Sequence, residues 1–81
     1  MKGLVYMNNK PLTRRQYEVL EFIKFFITQN GYSPTVREIS EHMGYSSAST
    51  AFSIVERLAK KGHVRKNRGP RTIRVIQRAG S

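Results

Sequence analysis

Four small hydroxyl side chains, Ser47, Ser49, Thr50 and Ser53, fall within seven positions of one another. Six basic side chains, Arg65, Lys66, Arg68, Arg71, Arg74 and Arg78, follow within 14 positions with no acid among them. A short hydroxyl donates and accepts hydrogen bonds, and it lets a backbone come close to a partner. Guanidinium and ammonium groups in an acid-free run suit a polyanion, since each forms charge-assisted bonds to phosphate. The bland alternatives are helix-start chemistry for Ser46 and Ser47 and a solvated charged loop for the basic run.

Catalytic arrangements find little to work with. The chain has no Cys and no Asp, and its two histidines, His42 and His63, lie 21 positions apart. That spacing matches no zinc-binding pattern, so both read as surface or boundary residues. No base and orienting acid accompany the serines, and neither a strand–nucleophile–helix elbow nor a Gly-rich phosphate loop is present. The chain is expected to be no enzyme and to need no metal and no cofactor.

The charge is unevenly spread. Of 81 residues, 15 are Lys or Arg and five are Glu, a formal net charge of +10. Residues 1–56 carry six basic and five acidic side chains, whereas residues 57–81 carry nine basic and none acidic. Placing +9 of +10 on the last quarter looks like a contact surface rather than general solubilisation. The length allows one domain, which buries only about 60–65% of its unfolded surface, and there is no disulfide to help. The longest apolar runs, such as residues 4–7, have four members, far short of a membrane span or a signal segment. No membrane association and a cytoplasmic location are expected.

These side chains need a scaffold, and the punctuation supplies one. Thr13 and Gln16 make a capping box opening a helix over residues 13–29, with Tyr17, Leu20, Ile23 and Ile27 at helical spacing. Val19, Phe22 and Phe26 widen its apolar face, and Asn30-Gly31 ends it. Thr35 and Glu38 open a shorter helix with Val36, Ile39 and Met43 as its stripe and Gly44 as its stop. Ser47 is the N-cap of a third helix. On it Ala51, Ile54, Val55 and Leu58 face one way, and Ser49, Ser53, Glu56 and Lys60 the other, flanked by Thr50 and Arg57. Gly62 ends that helix, and two short strands, residues 63–66 and 72–76, flank a Gly69-Pro70 turn.

The fold class is therefore mainly α with a small β-hairpin, a three-helix winged helix-turn-helix. Residues 1–11 form an N-terminal arm, 12–76 the domain and 77–81 a disordered tail. The arm is either loosely ordered or a strand or dimer arm that buries Leu4 and Val5. In such a fold the second helix of the pair enters the major groove and reads bases with its first turns. Ser47, Ser49, Thr50 and Ser53 suit that task. Arg65, Lys66, Arg68, Arg71 and Arg74, around the hairpin, together with Arg37, Arg57 and Lys60, suit phosphates. Phe52 lies off the core face, so it packs under the wing or against the second helix, or touches a thymine methyl.

These residues resemble a known family. The matching stretches are Leu12-Thr13-Arg14-Arg15-Gln16, Asn30-Gly31-Tyr32-Ser33-Pro34-Thr35-Val36-Arg37-Glu38-Ile39 and Gly44-Tyr45-Ser46-Ser47-Ala48-Ser49-Thr50-Ala51. Lys60-Lys61-Gly62-His63-Val64-Arg65 and Gly69-Pro70-Arg71-Thr72-Ile73-Arg74-Val75 continue the match. Residues 12–76 are similar to the amino-terminal DNA-binding domain of LexA repressors, the Gram-positive versions above all. The resemblance implies a winged helix-turn-helix that represses transcription at palindromic operators. The family's recognition positions fall on Ser47, Ser49, Thr50, Phe52 and Ser53; at the last two, relatives commonly place His, Glu or Gly. LexA repressors continue into a peptidase domain that dimerises them and cleaves itself through a Ser–Lys pair. No such domain follows here, and the N-terminal extension and the extreme charge favour a free-standing short relative of the phage or plasmid kind over an excised half.

The expected function is sequence-specific binding of double-stranded DNA by a repressor that occludes promoters, as a possible homodimer. The alternatives are a winged-helix adaptor for a partner protein and a non-specific architectural or RNA-binding basic module.

Overall fold

The computed structural model describes residues 11–76, so the tail at 77–81 and nearly all of the expected arm lie outside the described residues. Three helices come first, α1 (Arg14–Asn30), α2 (Val36–Met43) and α3 (Ala48–Lys60), followed by two short strands, β1 (Val64–Arg65) and β2 (Arg74–Val75). The strands pair antiparallel, Val64 opposite Val75 and Arg65 opposite Arg74. The architecture is the expected three-helix winged helix-turn-helix, mainly helical with one small hairpin.

Local chemistry explains where each helix starts. The Thr13 hydroxyl accepts from the Gln16 amide at 3.1 Å and Gln16 Oε1 accepts from the Thr13 amide at 3.1 Å. Thr35 and Glu38 repeat the exchange at 3.0 Å in both directions. Each box satisfies two backbone donors that a helix start leaves open. The ends of α2 and α3 share one device. Tyr45 N–H donates to Ser40 C=O at 3.0 Å and His63 N–H to Leu58 C=O at 2.9 Å, each closing a Schellman turn. The turns pass through Gly44 at φ 76° and Gly62 at φ 84°, left-handed values that glycine adopts without a Cβ penalty.

One core joins all five elements. Val19, Leu20 and Ile23 of α1, Ile39 of α2, and Ala51, Ile54, Val55 and Leu58 of α3 are buried together with Val64 and Ile73 of the hairpin. Burying each large aliphatic side chain is worth roughly 1.5–3 kcal/mol, and this is what stabilises an α2 of eight residues, too short to persist alone. Lys61 adds a polar tie across the bundle: its Nζ donates to Gln16 Oε1 at 2.7 Å and to Pro11 C=O at 3.0 Å, linking the end of α3 to the start of α1.

The structure departs from the expected core at Tyr17, whose side chain is 55% exposed. The buried face centres on Val19 and Ile23, and six residues at about 100° each carry Tyr17 roughly 120° from Ile23. The strands are also shorter than the expected four and five residues. Pro70 supplies no ladder donor, Arg71 turns through φ 56°, and the Thr72 hydroxyl donates to Asn67 C=O at 2.7 Å and Gly69 C=O at 2.9 Å, so residues 67–73 form a loop.

Candidate nucleic-acid interface

The turn between α2 and α3, residues 44–47, sets how α3 is presented. Ser47 is its N-cap, with the hydroxyl accepting from the Ser49 amide at 3.1 Å. From there the core positions Ala51, Val55 and Leu58 hold one side of α3 inward. The opposite stripe follows from the 3.6-residue period: Ser49, Ser53 and Lys60 are exposed and Glu56 is partly so. Thr50 is half-buried on one flank next to exposed Arg57. Phe52 lies on the other flank and is 45% exposed. All five expected base-reading residues thus sit in the first two turns of α3 or at its cap, Ser47 with its hydroxyl already engaged.

The basic residues divide into two kinds. Arg37 on α2, Arg57 and Lys60 on α3, and Arg65, Arg68 and Arg74 on the wing are exposed and make no hydrogen bond or ion pair among the described residues. They are cations whose donors are open to solvent. Lys66 and Arg71 are committed. Lys66 Nζ lies 3.3 Å from Glu56 Oε2 and 4.3 Å from the centroid of the Phe52 ring. It neutralises the one acid on the exposed stripe of α3 and packs its head on Phe52, so the aromatic ring does lie beneath the wing.

Arg71 makes a two-pronged ion pair with Glu38, Nη1 to Oε1 at 3.0 Å and Nη2 to Oε2 at 2.9 Å. Nη1 also donates to Ser33 C=O at 3.0 Å, and the guanidinium lies 4.7 Å from the Tyr32 ring centroid. The Arg71 hydrogen bonds hold the Glu38 carboxyl below its ordinary pKa, with the Thr35 amide adding to the effect. Glu38 in turn raises the pKa of Arg71. An open cleft of about 350 Å³ runs between Arg71, Phe52 and the wing tip, lined by Val36, Lys66, Arg68 and Pro70 among others.

The two commitments were not apparent in the sequence. Lys66 and Glu56 are ten residues apart, Arg71 and Glu38 are 33, and nothing in the local pattern singles out either pair. His42, expected at a boundary, is exposed and stacks on Phe22 with ring centroids 4.0 Å apart and 12° between planes. Among the described residues no three His, Cys, Asp or Glu side chains come together as metal ligands. No helix among them is long and apolar enough to cross a membrane.

The sequence that builds this arrangement is similar to known proteins. The family model of the LexA DNA binding domain covers residues 9–72. The LexA repressor of Caldicellulosiruptor saccharolyticus is 47% identical over 68 residues, which are 83% of this chain and 34% of that protein. LexA repressors of Bacillus mycoides and Bacillus thuringiensis (strain Al Hakam) are each 41% identical over 68 residues, 83% of this chain and 33% of theirs. The chain therefore spans about a third of the length of these relatives. With the family model covering the three helices, β1 and most of the wing loop, the chain belongs to the LexA DNA-binding domain family.

Proposed function

We propose that the chain binds double-stranded DNA sequence-specifically and acts as a transcriptional repressor, by occupying operators that overlap promoters. The observation that carries the reading is the exposed stripe of Ser49 and Ser53 on α3, bordered by Arg57, Lys60 and the wing, whose Arg65, Arg68 and Arg74 have no partner among the described residues. A helix with short hydroxyls on its outer face fits the major groove closely, and flanking cations fix its register through phosphates. In this reading Ser49, Thr50 and Ser53 meet base edges, Ser47 lies at the groove's rim, and the open edge of the Phe52 ring meets a thymine methyl. Kinship with LexA repressors supports the repressor role, and operators made of two half-sites are what the resemblance implies. A homodimer on DNA, with half-sites about one helical turn or a multiple apart, follows from the same reading.

Selection of binding sites from random duplex tests it. A specific binder enriches one motif and prefers it over random duplex by about 10³ or more. Uniform recovery of all sequences, or binding that is as tight to single-stranded RNA, sinks the reading in favour of a non-specific basic module.

A further inference from the structure

Arg71 differs from Arg65, Arg68 and Arg74, the wing arginines that make no hydrogen bond or ion pair among the described residues. Its backbone sits at φ 56°, a left-handed value that side-chain-bearing residues rarely adopt, so the surrounding contacts must hold it there. Both terminal nitrogens are spent on Glu38, one of them also on Ser33 C=O. Its guanidinium carbon also lies 4.7 Å from the Tyr32 ring centroid.

Glu38 faces two ways. Oε1 closes the capping box of α2 by accepting from the Thr35 amide at 3.0 Å, and the same carboxylate grips Arg71. Beside it, the Ser33 hydroxyl accepts from the Ile73 amide at 3.3 Å. The wing is thereby tied to the start of the helix-turn-helix at two adjacent points. It needs such a tie, because its strands are two residues each and so small a ladder does not fix a hairpin's orientation.

We propose that Arg71 and Glu38 are positioning residues for DNA binding: their pair locks the wing to α2, and neither side chain contacts DNA. The proposal rests on the DNA-binding reading and deepens it. It also inverts an ordinary electrostatic expectation. Removing an acidic charge near a phosphate surface normally tightens binding. Here the neutral side chain loosens the wing that carries Arg65, Arg68 and Arg74, so binding weakens.

The test is Glu38→Gln in the full chain, against the duplex that the wild-type chain selects. Glutamine still closes the capping box, as Gln16 does at the same position of α1. The expected result is a loss of affinity of about three- to thirtyfold, which lies within the range of coupling for one ion-pair network. The salt dependence should also become shallower although no basic residue has been removed, and the Ile73 amide should exchange faster. Arg71→Lys keeps the charge but not the fork, and it should share the loss; a point-charge contact to phosphate would be largely kept by lysine. Glu38→Gln binding as tightly as wild type or tighter overturns the proposal, as does rescue by Arg71→Lys. Should the wild-type chain itself prefer no duplex, the DNA-binding reading fails first, a result distinct from either variant's behaviour.

Discussion

Lys66 of the wing stands 4.3 Å from the centroid of the Phe52 ring on α3 while pairing with Glu56 one turn further along the same helix. One cation therefore lies over the ring of an aromatic that is 45% exposed and cancels an acid on the surface proposed to meet phosphates. The wing is seated on α3 at this point and on α2 through Arg71, so it moves with the helix-turn-helix rather than hanging from it.

That seating separates two lysine and arginine roles that composition alone treats as one. Arg68, exposed at the wing tip and unpaired among the described residues, should behave as a phosphate ligand. Arg68→Ala is expected to make the slope of log K against log salt less steep by about 0.9, weakening all duplexes alike. Lys66→Ala removes a charge already balanced by Glu56, so its effect on the slope should be much smaller, with a loss that depends on sequence through Phe52. Titrations at several salt concentrations decide it; equal slope changes for the two variants would show that Lys66 is an ordinary phosphate contact.

Recognition should reside in the serine stripe. Ser49→Ala with Ser53→Ala leaves the core untouched, and alanine has the better helix propensity, so the fold should not suffer. The double variant should lose discrimination between selected and random duplex by roughly 1–3 kcal/mol for each base contact removed. Competition binding on the two duplexes measures this. An equal loss on both would remove Ser49 and Ser53 from base reading.

Helix starts and stops were legible in the sequence because they are local. Thr13 with Gln16, Thr35 with Glu38, and the glycines at 44 and 62 act within five residues, and each does in three dimensions what its spacing announces. The stripe of α3 was legible for the same reason, since a 3.6 period places Ser49 and Ser53 opposite Leu58 whatever surrounds them. Tyr17 was not, because the wide apolar band of α1 offers two overlapping faces and only docking against α2 and α3 chooses Val19 over Tyr17. The fates of Lys61, Lys66 and Arg71 depend wholly on tertiary placement. A basic residue reads the same in a sequence whether it waits for a phosphate or holds Gln16, Glu56 or Glu38.

Core and surface aromatic positions should separate sharply in stability. Leu58 is fully buried among α1, α3 and the hairpin, so Leu58→Ala is expected to cost about 2–5 kcal/mol. That is a large part of the roughly 5–15 kcal/mol available to a small domain. Phe25, 61% exposed on the outer side of α1, should cost no more than about 0.5 kcal/mol when replaced by alanine. Urea unfolding of both variants provides the comparison; similar midpoints would mean that the core is not where the buried residues place it.

Acid should release the wing before it unfolds the helices. Arg71 holds the Glu38 carboxyl below its ordinary pKa in the folded chain, whereas the unfolded chain protonates it in the usual carboxylate range. Between those two values the unfolded state binds the extra proton, so stability rises with pH there. The contribution is fully present above the ordinary carboxylate value and is lost as pH falls through the lowered one. Glu38→Gln lacks it at every pH, and the other four glutamates are common to both proteins. The stability difference between wild type and Glu38→Gln should therefore be largest near neutrality and shrink on acidification, as read from urea unfolding at each pH. In parallel the Ile73 amide of the wild type should lose exchange protection over the same window, ahead of Ile23 and Leu58 in the helices. A difference that stays constant into acid would mean that Glu38 gives the wing no charge-dependent hold.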